Sequence, residues 1–509
     1  MRWIKIIRLL FSVCFKQKTT NPLRLRFFLE RAGGAFIKFG QILALRQDFL
    51  PFGYVVELLK LLNRIPETPF EKMKIVFIEE TGVDIDKFFK EFDSKPIASA
   101  SIGQVYQAYL MDGTKVAVKI QRPEIKEVFE ADFRLMMLVA KIIDFFRIFS
   151  TVHMVELVTD FINWTRRELD FTFESKNGEI FYKHSDSHPK TIIPRQYPEL
   201  SRPRVLVQEF IEDEMPIDKI ISGQIKKNIL FERGINIDEM VYYLIFDEMR
   251  QYFIDGFFHA DPHPANLAFL PGNNLAYFDF GIVGEAGPYR SLFLKIIYGV
   301  AQKDSDYLCD HFLEFGQSVM EEELKLYLQA NPSKKHKYRK IFDKIRYLIA
   351  KEFKQDIKNI LDPWFEKARS PYASISEKSI APVFFKIIRE AERYGVRLPR
   401  DVILFFRAFF ILDMVSLQLS PGFDIIKSLN IFFSSYPIEY IEELILVGEH
   451  ESKVGKKIIP LEDIDWETFK ENIFIERERK MAMEEILVDM VTLYSEKYDE
   501  VRLLLKTVN

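Results

Sequence analysis

Three side chains in the second half of this 509-residue chain are spaced for chemistry on a phosphate: Asp261, Asn266, and Asp279 at the head of Asp279-Phe280-Gly281. One carboxylate that faces an acceptor hydroxyl, with an amide oxygen and a second carboxylate that hold a hard cation, is a minimal set for in-line phosphoryl transfer. The first two lie in Phe258-His259-Ala260-Asp261-Pro262-His263-Pro264-Ala265-Asn266, and the third follows a strand-like apolar run ending at Tyr277-Phe278. A second chemistry is open to the same stretch, because His259, Asp261 and His263 alternate as zinc ligands do in metallohydrolases. Against it, His263 sits between two prolines, and a hydrolase reading leaves the upstream motifs unexplained. Otherwise His259 braces the loop.

A phosphate site needs elements that cover, charge and frame it, and the upstream sequence contains candidates in the right order. Ala98-Ser99-Ala100-Ser101-Ile102-Gly103-Gln104-Val105 precedes a strand, with alanines where a kinase glycine-rich loop has its first two glycines. Its backbone donors would cover phosphates; an ordinary hairpin with a small-residue loop has the same look. Asp112-Gly113 is a hairpin turn, and the next strand alternates so that Ala117 and Lys119 share one face while Val116, Val118 and Ile120 share the other. Lys119 then reaches nucleotide phosphates. From Pro123 to about Tyr182 the pattern is helical and carries Glu168, Asp170 and Glu174. Asp170 and Glu174, four apart, are expected on one helix face, where they repel unless Lys119 or magnesium intervenes; the alternative is a solvated acidic face. Val205 to Ile211 reads as a strand ending in a hinge, where backbone groups of Glu209 and Ile211 would meet adenine. Upstream, Lys38, Gly40 and Gln41 lie on a helix with small residues on one side, ended by Pro51. Taken alone, those polar residues read as solvated.

Composition bounds the remainder. A hydrophobic content of 48% supplies a large core, and 48 Phe residues fit either apolar binding surfaces or a Phe-rich interior. The formal net charge of −4 provides no basic field for nucleic acid. Residues 1–31 are different, with eight basic residues against Glu30 alone, while 461–509 hold 13 acidic and 7 basic residues. Residues 2–15 suit an in-plane amphipathic helix at a membrane surface, or a helix packed on the protein's own body. Cys14 and Cys309 are too few for a disulfide framework, which suits a reducing cytosol. Val402 to Val415 is interrupted by Arg407 and Asp413 and reads as a buried helix, so no transmembrane helix is expected.

Together these motifs resemble the UbiB family, also called AarF or ADCK-type atypical kinases. The resemblance rests on Lys38-Phe39-Gly40-Gln41, the loop at Ala98 and Ala100, Glu168-x-Asp170, the His259-to-Asn266 loop, and Tyr394-Gly-Val-Arg-Leu-Pro399 with Arg407. It covers about residues 30 to 425; Ser420 stands before Pro421 where the family often has Asp, and residues 426–509 lack the hydrophobic anchor some members carry. The resemblance implies an α+β, bilobal protein-kinase-like fold with a small β-sheet N-lobe and a helical C-lobe. The expected division is 1–30 basic segment, 31–95 helical extension, 96–215 N-lobe with a long helical insert, 216–425 C-lobe and 426–509 helical C-terminal region. It further implies ATP or ADP with Mg2+ as cofactors. Lys119 would pair with Glu174 and contact the phosphates, Asn266 and Asp279 would hold magnesium, and Asp261 would orient or deprotonate the acceptor. The loop from Ala98 through Gly103, with Val105 and Ala117, would line the nucleotide. Lys38, Gly40, Gln41, Glu168 and Asp170 would close the peptide entrance, favouring ATP hydrolysis or a small lipid-like acceptor. The implied setting is isoprenoid-quinone biosynthesis with its proteins, in the cytoplasm or peripheral at the inner membrane face. A protein kinase and a non-catalytic ATP-gated scaffold are the competing functions.

Overall fold

A computed structural model of the chain describes residues 21–43, 67–99, 101–145, 154–330, 335–370, 372–393 and 398–454, with Ile6, Tyr54, Glu57, Leu58 and Leu61. Gln41 is described in its backbone only, and Ala100, Pro51 and residues 394–397 lie outside the described set. The chain forms two compact units, one of residues 1–235 and 261–283, the other of 236–260 and 284–509.

Two sheets organise the first unit. Helices α1 (Asn21–Ala32), α2 (Ala35–Leu43) and α3 (Phe70–Thr81) precede strands β1 (Glu91–Phe92), β2 (Ala98–Ser99), β3 (Gly103–Tyr109) and β4 (Lys115–Gln121). Strand structure thus starts at Glu91, before the boundary at residue 96 expected for the N-lobe. The β3–β4 hairpin turns where expected: Leu110 N donates to the Thr114 carbonyl at 2.8 Å, and Gly113 takes φ +89°, a conformation that costs glycine little. The predicted 60-residue helical run is three helices, α4 (Ile125–Phe145), α5 (Met154–Glu168) and α6 (Phe171–Ser185). Side-chain caps start two of them. Asp144 accepts from Met154 N and Val155 N, each at 2.8 Å, at the start of α5. Asp170 caps α6.

β5 (Thr191–Ile192), β6 (Val205–Glu209) and β7 (Met215–Pro216) follow. The first sheet runs β1-β3-β4-β6, with β2 also on β3 and every pairing antiparallel. Val116, Val118 and Ile120 of β4 pack with Val205 and Val207 of β6 against Met73, Val76 and Phe77 of α3, as the alternation predicts. A second cluster collects Leu29, Phe36, Phe133, Met136, Ala140, Phe161 and Leu206, and Ile6 is buried in it.

In the second unit, α7 (Ile237–Arg250) runs through a π-turn at Gln251–Asp255 into β8 (Phe257–His259). β9 (Leu267–Leu270) and β10 (Asn274–Tyr277) return the chain to the first unit, where the order is β5-β10-β9-β7 with β5 and β10 parallel. That four-strand sheet gathers 261–283 into the first unit, which runs to residue 235, where the sequence placed a boundary at 215. The second unit continues with α8 (Arg290–Gln302), α9 (Ser305–Ala330), α10 (Lys335–Ala368), α11 (Ala381–Arg393), α12 (Arg400–Leu419), α13 (Ile425–Ser435) and α14 (Ile438–Val454). Its core is aromatic: Phe293 stands edge-on to Phe405 and Phe406 at 5.4 and 4.7 Å, and Phe253, Phe258, Phe409 and Phe432 are fully buried. These phenylalanines are an interior.

By length and composition, Asp401–Leu419 is the one helix among the described residues able to cross a membrane, and 67% of its most apolar window is buried inside the protein. Its Asp413 is completely buried, accepting from Ser379 Oγ and from Ile380 N at 3.1 Å. This matches the buried helix read from the interruptions at Arg407 and Asp413.

Candidate active site

Lys119 stands on β4 opposite Val105 and Leu206. Its ammonium donates to both oxygens of Glu174, at 2.8 and 2.9 Å, and to Asp279 Oδ2 at 3.1 Å. Residues 55 and 160 positions away therefore meet at one cation. Burial disfavours that charge, but Asp279 and Glu174 outweigh it and hold the ammonium protonated. Glu174 is buried, and desolvation together with the Asp279 charge pushes its carboxyl up to about 7.

Asp170 does not share this role. It is the N-cap of α6, accepting from Thr172 N at 3.0 Å and Thr172 Oγ1 at 2.7 Å. The expectation that Asp170 and Glu174 repel across one helix face is therefore corrected: a cap residue sits before the helix and its side chain turns back on the first turn. Glu168, at the end of α5, instead forms an ion pair with Lys38 of α2, both largely buried. A β-carbon on Gly281 would come within 3.9 Å of Glu168 Cγ, so this pair lies beside the Asp-Phe-Gly loop. The Lys38 charge also lowers the Glu174 carboxyl, against the larger effects that raise it.

Asp279 Oδ1 accepts from Gly281 N at 2.9 Å, which folds the loop on itself. The sequence reading missed two residues that hold this loop. Asn177 Nδ2 donates to the Phe280 carbonyl at 2.9 Å and Gln208 Nε2 to the Phe278 carbonyl at 3.4 Å. Asn177 follows Glu174 by three, one turn along the same helix face, and that spacing was the available signal.

The Asp261 loop is closed by its own backbone. His263 N and Asn266 Nδ2 both donate to the Asp261 carbonyl, at 2.7 and 3.1 Å. His263 Nδ1 accepts from Ala265 N at 3.2 Å and caps the short turn Pro264–Asn266. His259 is fully buried in the second unit, its N–H donating to Gln251 Oε1 at 2.9 Å. His263 Nδ1 is thus engaged in a cap and His259 is held through its backbone N–H, and among the described residues no three His, Cys, Asp or Glu side chains gather as a metal site.

The described residues of the loop are strand at Ala98–Ser99 and a bend at Ser101–Ile102 before β3. Ala98 and Ser99 pair with Val105 and Gln104. Ser99 Oγ accepts from Arg122 at 2.7 Å, while the Ile102 carbonyl accepts from Arg122 N at 2.8 Å. Arg122 was not singled out from the sequence. Ile102 is turned into the second cluster. Gly103 is required sterically: a β-carbon there would meet the Ile120 carbonyl oxygen at 2.6 Å. At the hinge, Glu209 gives its N–H to the Arg195 carbonyl at 2.8 Å, and its carboxylate accepts from Arg195 N at 3.0 Å. Glu209 therefore has only its carbonyl, with the groups of Ile211, to offer adenine.

The donor set fits a nucleotide with a hard divalent cation. Two ammonium groups, Lys38 and Lys119, face three carboxylates, Glu168, Glu174 and Asp279, leaving one negative charge in excess. Asn266 has turned its nitrogen to Asp261, so its oxygen is the atom left for a cation.

Residues 60–312 match the ABC1 atypical kinase-like domain. The chloroplastic ACTIVITY OF BC1 COMPLEX KINASE 7 of Arabidopsis thaliana is 33% identical over 291 residues, which are 57% of this chain and 41% of that protein. The probable protein kinase UbiB of Pseudomonas putida is 27% identical over 436 residues, 83% of this chain and 73% of that protein. A solved Mycobacterium tuberculosis protein, in complex with erythromycin, is 28% identical over 61% of this chain and 72% of that chain, at a TM-score of 0.38. The ion-paired lysine, the Asp-Phe-Gly loop and the domain match agree: residues 60–312 form an ABC1 atypical kinase-like domain, and the chain, similar to UbiB proteins, has an α+β kinase-like fold.

Proposed function

We propose that the protein binds ATP with magnesium and acts as an ATPase or as a kinase of a small lipid-like acceptor, in support of isoprenoid-quinone synthesis at a membrane surface. The observation that carries this reading is Lys119, held between Glu174 and Asp279. A lysine fixed by a carboxylate on each side is aimed and charged before ligand arrives, and its role is to bind the α- and β-phosphates. Asn266 and Asp279 would hold magnesium, which supplies charge neutralisation on the phosphate oxygens. Asp261 would orient the attacking hydroxyl or water and take its proton, while the turn at 99–103 covers the phosphates. The buried Lys38–Glu168 pair beside the Asp-Phe-Gly loop supports a small acceptor or water in preference to a peptide.

Asp279→Ala is expected to abolish magnesium-dependent nucleotide binding in a calorimetric titration; unchanged binding overturns the nucleotide assignment. An ATPase assay of the purified chain against prenylated phenols and anionic liposomes then identifies the acceptor class. Full activity in cells of Asp261→Asn would instead favour a nucleotide-gated scaffold. Phosphate transfer to protein that persists in Lys38→Ala and vanishes in Asp261→Asn would favour a protein kinase.

A further inference from the structure

The segment that carries Asp261, Asn266 and Asp279 leaves the second unit after Ala260 and rejoins it at Gly284. One irregular stretch of helix holds both of its ends. α7 runs into the π-turn Gln251–Asp255, which Gly256 closes at φ +72°. A single π-turn interrupts the regular helical ladder, and such turns are frequent at functional sites.

The first residue of the turn holds the upstream end. Gln251 is fully buried, and both ends of its amide are used: Oε1 accepts from His259 N at 2.9 Å, and Nε2 donates to Asp247 Oδ2 at 2.7 Å. Asp247 is itself fixed. Its Oδ1 accepts from Arg250 Nε and Nη2 at 3.0 and 2.8 Å, and Arg250 Nη1 reaches on to Asp255. His259 stands two residues before Asp261, so one amide joins a buried ion pair to the start of the loop. Buried polar networks of this kind specify a single arrangement when their members are paired.

The end of the turn holds the downstream side. The carbonyls of Phe253 and Ile254 lie in the final turn, where no helical donor follows, and both accept from Arg290 Nη2 at the start of α8. Just before it, Ala286 N donates to the Gly256 carbonyl at 2.9 Å, and a β-carbon on Gly284 would strike the Phe258 ring. The chain thus returns from Asp-Phe-Gly alongside β8, the strand that leads to Asp261.

We propose that Gln251 is a positioning residue for the Asp261 loop, and that the π-turn, through Gln251 and Arg290, braces both ends of the span from which Asp261, Asn266 and Asp279 project. The proposal rests on the phosphoryl-transfer reading for what Asp261 does, and adds how its loop is aimed.

The test separates turnover from binding. Gln251→Leu keeps the approximate volume and removes both hydrogen bonds. With magnesium ATP its kcat is expected to fall about a hundredfold, the scale of a slightly misplaced reacting group. Its nucleotide Kd by calorimetry stays within about twofold, because Lys119 and Glu174 are held in the first unit. Arg290→Lys, whose single ammonium spans the two carbonyls less well, lowers kcat about tenfold with the same unchanged Kd. Ser416→Ala, which removes another buried hydrogen bond of the second unit, from Ser416 Oγ to the Val241 carbonyl, leaves kcat at the native value. Thermal unfolding establishes that each variant is folded, and Arg290→Lys carries the test if Gln251→Leu is not. Amide exchange across residues 257–266 needs no turnover; it speeds up in Gln251→Leu and not in Ser416→Ala. Native kcat in folded Gln251→Leu overturns the proposal, as does an equal fall in Ser416→Ala or unchanged exchange across 257–266. Failure of the nucleotide reading looks different: the native chain itself neither binds nor turns over magnesium ATP, and exchange alone then decides whether Gln251 holds the loop.

Discussion

Glu174 must be a carboxylate to accept two hydrogen bonds from Lys119, yet burial and Asp279 raise its carboxyl to about 7. Nucleotide-dependent turnover is therefore expected to rise as pH increases through about 7, and Glu174→Gln should remove that limb along with most activity; a pH–rate profile measures both. Stability runs the other way. A raised pKa means that the folded state holds the proton more tightly, so the contribution is complete below the ordinary carboxyl pKa and is lost as pH rises through 7. At this scale the sequence was informative about identity and weak about partners. The pairing of Lys119 with Glu174 was implied by the resemblance, and the structure has it. That Asp279 meets Lys119, and that Arg122 holds Ser99, depends on strand register and loop path, which no local pattern encodes. Asp170 was misread because a cap and a helix-face residue can have the same four-residue spacing from Glu174.

Among the elements, the β3–β4 hairpin was the most readable, since a turn dipeptide, β-branched alternation and a lysine on the inner face all agree. The sheet β5-β10-β9-β7 was not, because its strands are two to four residues long and come from separated segments. Short pieces carry too little periodicity to stand out, and a parallel pair such as β5 with β10 has no turn to announce it. Gly103 tests the hairpin's geometry. Gly103→Ala is expected to cost about 1–3 kcal/mol in urea unfolding, because its β-carbon would strike the Ile120 carbonyl in the paired strand, and to weaken nucleotide binding in the same sample. Gly113→Ala, in open space at the turn, should cost only the strain of its positive φ, about 1 kcal/mol, and leave binding intact.

For the whole molecule, composition allowed either apolar binding surfaces or a Phe-rich interior, and the aromatic packing of the second unit settles many of those phenylalanines as interior. The same interior contains Asp413, whose carboxyl is pushed up to about 7 by burial against weaker opposition from Ser379 and Ile380. Its stabilising contribution is complete below about pH 4 and is lost as pH rises through 7. Thermal unfolding from pH 4 to 8 should therefore show a falling midpoint that flattens in Asp413→Asn, provided the amide keeps the Ser379 bond; an unchanged slope would assign the loss to other groups.

The first unit is also discontinuous, leaving at residue 235 and returning at 261–283. During synthesis this makes time a structural variable. The ribosome must release more than half of the chain before β9 and β10 can fill the sheet between β5 and β7, and before Asp279 can reach Lys119. Until then β5 and β7 are unpaired edges exposed to other nascent chains. A polypeptide stalled short of residue 279 has the lysine and its glutamate but lacks the second carboxylate that fixes the lysine from the other side.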